Sequence, residues 1–339
     1  MDRLWTKFID VLLAGGPIPV AQMSRVGNYW SSRLAATSGQ RWTDICFFDL
    51  EFFFYHWINS QVGFFRNGTD VFSEKRKQSA QDVAPAFAAA YDRLSVMSGL
   101  LRLTALIQLS TDGNVADLSQ IEETDALAAK VLPRLTDDSN FLTEVLRSGP
   151  PLPVHFIADN FGHELMWDLA LIDTVISDAS KPVVLHLKPC PMFVSDAVVG
   201  DVGLTLAAFD DQFASTRTLA HRLRDAVASG ILSIEASTEW GEPRFFSQLS
   251  VEMTSRLCSA SVLIAKGDLN YRRIVEDRLW PAETPVSTIP NLPSVKTFAL
   301  RVLKSDAILG LKKTLVAKLD RLEPYWRSSG TKAIIQRLR

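Results

Sequence analysis

Asp159 and Asn160 stand side by side in VHFIADNFGHELMWDLALID, where an apolar run over 154–158 gives way to an amphipathic one. A carboxylate next to a carboxamide at such a joint has three uses: a helix cap, a turn, or a pair of ligands for a hard cation. Before a helix, an Asp-Asn pair is more often a cap. The next apolar run, in PVVLHLKPCPMFVSDA, leads to a third oxygen donor at Asp196. Two acidic loops that follow successive strands can converge on one point, as an oxygen-liganded cation requires. No histidine or cysteine is spaced to compete, so a softer all-nitrogen or all-sulfur site is not expected.

Opposite charge follows in two later stretches. SVLIAKGDLNYRRI carries Lys266, Gly267, Asp268, Leu269, Asn270, Tyr271 and Arg272 past another apolar run, and LRVLKSD carries Arg301 and Lys304 past a further one. Cations at two strand ends, beside a metal and a helix N-terminus, suit a phosphoryl group with two negative charges. The plainer alternative is that Lys266, Arg272, Arg273, Arg301 and Lys304 are solvated surface charges.

These residues can meet only if a sheet presents its strand ends together. VHFIA, PVVLHLK, ILSIEA, SVLIAKG and KTFALRVL read as buried strands separated by longer amphipathic segments, the pattern of a sheet covered on both faces. In such sheets ligands bind beyond the carboxyl ends of the strands. The helix expected to begin near Phe161 places Leu165, Leu169, Ile172 and Ile176 in one buried stripe, which aims its first-turn N–H groups back at the joint. Ahead of this part, residues 1 to about 145 show helical periodicity, as in FFDLEFFFYHWI and AAAYDRLSVMSGLLRLTALIQLS. Between the two lies SGPPLPV, whose prolines cannot continue a helix. The predicted organisation is therefore an all-helical domain over 1–147, then a three-layer α/β/α, Rossmann-like domain over 148–339 that holds the metal and phosphate site.

Composition narrows the partners. Of 339 residues, 36 are basic and 38 acidic, a formal charge of -2, without the basic excess of a nucleic-acid binder. Three scattered cysteines without CxxC spacing indicate neither a disulfide framework nor a zinc cluster. MDRLWTKFIDVLLAGGPIPV has no basic n-region before its apolar run, and no window approaches a membrane span. A cytoplasmic protein acting on a small molecule is expected, with no nucleic acid or membrane as partner.

Taken in order, DNFGHELMWDLALID, VSDA, KGDLNYRRI and LRVLKSD resemble the motifs of the DUF89 family of metal-dependent damage-control phosphatases. The branch most resembled is subfamily III, the acidic-residue methyltransferase-1-like proteins. Weaker echoes lie upstream. CFFDLEFFFYHWI resembles the family's E-x-Y-x-Y-R helix, with Glu51 and Tyr55 in place and His56 where arginine is usual. TDVFSEKRKQS resembles DPF-x-x-x-K, and GNVADLS the GN-x-x-DLS element around Asn114 and Asp117. In LRVLKSD, Val302 stands where the subfamily has threonine.

The resemblance implies metal ligation by Asp159, Asn160 and Asp196, the same residues being catalytic. It also implies manganese, cobalt or nickel in preference to magnesium. Substrate contacts would come from Asp159, Asn160, Asp268, Leu269, Asn270, Tyr271, Arg272 and Lys304, with Arg301 offsetting phosphoryl charge. Glu51 and Tyr55, one helical turn apart, could reach substrate hydroxyls. The implied activity is hydrolysis of phosphometabolites, with sugar phosphates such as fructose 1-phosphate or fructose 6-phosphate as substrates. Two alternatives are an S-adenosylmethionine-dependent protein-glutamate methyltransferase and a non-catalytic phosphometabolite-binding protein. A methyltransferase would need a glycine-rich loop after its first strand, where this chain has ADNFGHE.

Overall fold

The computed structural model describes residues 9–113 and 132–339. Seven strands form one sheet: β1 (Arg134–Asp137), β2 (Val154–Ile157), β3 (Val183–His186), β4 (Leu232–Glu235), β5 (Val262–Lys266), β6 (Thr297–Val302) and β7 (Ala333–Arg337). Their order is β1-β7-β6-β5-β2-β3-β4, parallel except where β7 runs antiparallel to β6. From β2 the chain moves outward through β3 to β4, then returns to the other side of β2 for β5. The direction of winding thus reverses between β2 and β5, the place where open sheets bind ligands.

The strands alternate faces, as a pleated backbone must. In β5, Val262 and Ile264 enter one apolar core, while Leu263 and Ala265 enter the other. The helices are α1 (Gly27–Thr37), α2 (Phe47–Val62), α3 (Phe64–Asn67), α4 (Ser73–Arg93), α5 (Gly99–Asp112), α6 (Ser139–Ser148), α7 (His163–Ala179), α8 (Val199–Asp210), α9 (Ala214–Ala228), α10 (Val251–Cys258), α11 (Gly267–Ile274) and α12 (Lys313–Leu322). Residues of α4 to α9 share the first core, and α10 to α12 cover the second. The expected α/β/α layering is present, and α7 is buried on all sides rather than along one stripe.

Leu142, Val145 and Leu146 of α6 lie in the same core as Val154 of β2. The expected boundary at 147/148 therefore marks a change of sequence pattern while one core runs across it. Ahead of that boundary, β1 is a strand that the pattern does not flag: RLTD is short and only half-buried at the sheet edge. A separate aromatic cluster holds α1 and α2, with Trp30, Trp42, Phe48, Phe52, Phe53 and Trp57 packed against Cys190, Met192 and Leu269. Cys190 and Met192 belong to the loop beyond β3 and Leu269 to the first turn of α11 beyond β5, so the cluster sits over the strand ends as a roof. Among the described residues no helix is long and apolar enough to cross a membrane.

Candidate active site

The joint after β2 and the loop after β3 are stitched together by backbone. Phe161 N–H donates to the Ser195 carbonyl at 2.7 Å, and Ala197 N–H donates to the Asp159 carbonyl at 2.9 Å. An isolated antiparallel bridge joins Asn160 to Asp196. Neither Asp159 nor Asn160 caps a helix: α7 begins only at His163, behind Gly162 at φ 79° and ψ −135°, a conformation almost confined to glycine. The helix starts later than the expected Phe161 because Asn160 and Phe161 are tied to the neighbouring loop.

Asp159, Asn160 and Asp196 line a cavity of about 630 Å³, together with Glu51, Asp268, Leu269, Arg272 and Lys304. Ser195, Phe47, Phe193 and Asp277 add to its walls. The Asn160 amide has a definite orientation: its nitrogen donates to Asp159 Oδ2 at 3.2 Å and Glu164 Oε2 at 3.1 Å, and its oxygen accepts from Ser195 Oγ at 2.8 Å. Asp196 Oδ2 lies 3.3 Å from the buried Lys188 ammonium. Burial raises the Asp159 carboxyl well above the usual range, and the charges of Glu164 and Asp196 add to the rise; Lys188 and Lys304 oppose it.

The charged helix α11 divides its residues by face. Asp268, Leu269 and Arg272 border the cavity. Asn270 turns inward and donates to the carbonyls of Ala158 at 3.0 Å and Lys266 at 2.8 Å, tying the ends of β2 and β5 together. Tyr271 is buried, with its hydroxyl donating to Gln336 at 3.1 Å and the Arg301 guanidinium stacked 4.3 Å from its ring centre. Arg301 is itself fully buried and grips Asp268 at 2.7 Å and the Ser305 and Ala307 carbonyls. Burial alone would raise the Asp268 carboxyl, but Arg301 and the Lys304 N–H outweigh it and hold Asp268 below its ordinary value. Asn270, Tyr271 and Arg301 thus stand behind the cavity wall, while Lys304 reaches the cavity.

The surface-charge alternative fails for most of the cations. Lys266, Arg273 and Arg301 are wholly inaccessible, and Arg272 is 7% exposed. Lys266 points away from the cavity and lies 2.8 Å from Glu164 and 2.9 Å from Asp168. Burial opposes its charge, but those two carboxylates outweigh burial and raise its pKa. It therefore does not face a phosphoryl group, contrary to the expectation from sequence. Arg272 bridges the roof and the sheet, pairing with Glu51 at 2.8 Å and Asp277 at 2.7 Å.

Two upstream expectations diverge from the cavity. His56 is buried, stacked on Trp30 at 3.8 Å, with Nε2 placed 2.7 Å from the Ser24 carbonyl. Tyr55 packs against Phe193 at 5.1 Å and borders a smaller neighbouring cavity of about 360 Å³. In the TDVFSEKRKQS segment, buried Arg76 pairs with Asp70 and with Asp201, the latter at 3.1 Å. Asn114 and Asp117 lie outside the described residues.

A family model for the damage-control phosphatase ARMT1-like domain matches residues 23–319. The chain belongs to this family. Damage-control phosphatase ARMT1 of Danio rerio is 29% identical over 261 residues, covering 68% of this chain and 57% of that protein. The Xenopus tropicalis protein of the same name is 27% identical over 307 residues, covering 79% of this chain and 68% of its own length. This member thus spans little more than half of the Danio rerio relative. A DUF89 family protein from Pyrococcus horikoshii shares the fold, with a TM-score of 0.51 at 18% identity over 86% of this chain and 81% of that one. Val302, which stands where the resembled motif has threonine, is buried in one cluster with Leu132 and Ala333, so its side chain faces core rather than cavity.

The family implies a divalent cation, and the donors fit one. Asp159, Asn160 and Asp196 bring two buried carboxylates and an amide oxygen to one cavity wall, the hard-oxygen donors that such a cation takes. Among the described residues no group of three or more His, Cys, Asp or Glu is placed to hold an ion; this set has only two such members, its third donor being an amide. Gly267 gives the set its room, since a Cβ there would lie 1.8 Å from Asp159 Oδ2. Sequence reasoning did not single out Ser195, Lys188 or Glu164. Ser195 directly precedes Asp196, Glu164 lies in the first turn of α7 just past Asn160, and Lys188 follows the end of β3.

Proposed function

We propose that the chain is a metal-dependent phosphomonoesterase for small phosphorylated metabolites, acting in the cytoplasm. Asp159, Asn160 and Asp196 would hold the cation, manganese, cobalt or nickel in preference to magnesium. Sugar phosphates such as fructose 1-phosphate or fructose 6-phosphate are the proposed substrates. One observation carries this reading: three oxygen donors from two stitched loops share a cavity wall, and Lys304 and Arg272 border the same space.

A cation bound there supplies Lewis acidity toward a phosphoryl oxygen. The protein's own residues do the rest. Lys304 and Arg272 offset the charge of the phosphoryl group. Asp268, held ionised by Arg301, accepts from substrate hydroxyls, and Glu51 does the same from the roof. Phe47, Phe193 and Leu269 exclude water from the walls. Asn270, Tyr271 and Arg301 keep α11 in register with the strand ends and serve the substrate only through Asp268 and Arg272.

Phosphate release from a panel of sugar phosphates with added manganese, cobalt, nickel or magnesium tests the proposal. Asp159→Ala and Asp196→Ala each lower release at least roughly a thousandfold with the far-ultraviolet spectrum unchanged. Lys304→Ala raises KM and retains metal. Undiminished turnover in either aspartate variant would remove the ligand assignment.

A further inference from the structure

Behind the cavity wall lies a charged chain with no path to solvent. Lys266 donates to Glu164 Oε1 at 2.8 Å and to the Ser110 carbonyl at 2.5 Å, and lies 2.9 Å from Asp168, which accepts from Ser110 Oγ at 2.6 Å. Glu164 is 1% exposed, and Lys266 and Asp168 are wholly enclosed. The other oxygen of Glu164 accepts from the Asn160 amide nitrogen at 3.1 Å. Buried ion pairs of this kind do little for stability beyond what an apolar replacement would provide. Their effect on the geometry of a neighbour is the more telling property.

We infer that Glu164, held by Lys266, is a positioning residue that fixes which end of the Asn160 amide faces the cavity. The inference rests on the metal-site reading above, in which Asn160 contributes its oxygen. A carboxamide can rotate half a turn about its last bond, exchanging an oxygen that binds a cation for an NH2 that cannot. Here Glu164 Oε2 and Asp159 Oδ2 both demand a donor, so the nitrogen points to them. Ser195 Oγ supplies a donor to the amide oxygen and leaves it a second lone pair. Lys266 is essential to this logic because it occupies Glu164 Oε1 and holds the side chain as an acceptor toward Asn160.

Glu164→Gln separates this role from packing. A glutamine has one carbonyl oxygen, and the ammonium of Lys266, the stronger donor, takes it. The glutamine NH2 then faces Asn160, whose amide turns over and presents nitrogen to the cavity. In an Asn160→Asp background the same change has the opposite sense. An aspartate offers oxygen in either orientation, and E164Q removes a repelling carboxylate beside it.

Manganese binding to the purified chain, followed by titration calorimetry and by the loss of the free-ion paramagnetic resonance signal, tests this without reference to turnover. Wild type binds, E164Q binds about 10- to 100-fold more weakly, and N160D/E164Q binds at least as tightly as N160D. K266M added to E164Q frees the glutamine carbonyl for Asn160 and regains affinity. Thermal melts of the metal-free variants verify that each is folded, and the comparison within the N160D background stands even where E164Q alone does not fold. Equal affinity of E164Q and wild type, or an equal loss in both backgrounds, overturns the inference while leaving the metal site intact. Absence of manganese binding by wild type instead removes the metal-site reading and this inference with it.

Discussion

On the sheet side of the cavity, Asp159, Asn160 and Asp268 follow directly on the ends of β2 and β5, held by backbone bonds between neighbouring loops. On the roof side, Glu51 reaches the cavity from near the N-terminal end of α2, among phenylalanines that belong to a different core. The first arrangement places donors by strand register and allows little adjustment. The second depends on the packing of one aromatic cluster against the loop at Cys190–Met192 and against Leu269 at the start of α11, with the Glu51–Arg272 pair as its polar tie. Errors on the two sides should therefore differ: a fault at the strand ends strikes the reaction, and a fault in the roof strikes stability or substrate affinity.

Gly267→Ala is the severest test of the sheet side. At φ +77° an L residue costs about 1–2 kcal/mol, and the added methyl must displace Asp159. Turnover should fall roughly a hundredfold, since a displacement near 1 Å has that effect, with only a modest change in melting temperature. An unchanged rate would mean that Asp159 is less closely placed than its neighbours indicate.

Acid bears on the roof through a buried histidine, as it does on the sheet side through His155, His163 and His186. Burial lowers the His56 pKa from 6.5 to about 4, so the unfolded chain takes up a proton before the folded one does. Stability is then full above pH 6.5 and is lost as pH falls toward 4, by about 2 kcal/mol at pH 5 from this group. Urea unfolding at pH 7 and pH 5 should show that loss, and His56→Gln should reduce it.

Smaller effects probe the seam between the two sides. A double-mutant cycle on Glu51 and Arg272, read from KM for the best substrate, should give a coupling of about 1 kcal/mol; strict additivity would show that the pair does not link roof to site. Tyr55→Phe should change kcat/KM less than about threefold, because Tyr55 borders the neighbouring cavity. A tenfold loss would place its hydroxyl on the substrate after all.

The strands β2 to β6 were legible as short β-rich runs between amphipathic segments, and Asp159 and Asn160 stand where one of them runs out; Asp196 lies in the loop well past β3, and its pairing with them came with the family resemblance. β1 and β7 were not: RLTD is half-buried at an edge, and AIIQR follows a turn-rich stretch with no partner visible nearby in the chain. Within α11 the sequence placed every residue near the strand end without dividing the helix by face. Asp268 and Arg272, four apart, share the cavity side, while Asn270, Tyr271 and Ile274 lie on the other. Lys266 was misread because its position after apolar β5 suggested a loop residue, when it is the last residue of the strand and points into the layer beneath.

β7 enters the sheet between β1 and β6, pairing Ala333 with Arg134 on one flank and with Val302 on the other. During synthesis β6 is left with an open edge until residues 333–337 emerge from the ribosome. Pairings that join distant parts of a chain form late and slow its folding. Arg301, the clamp on Asp268, sits on that same waiting strand, so the Asp268 side of the cavity acquires its final shape late in biogenesis, after the residues beyond β2 and β3 have had time to assemble.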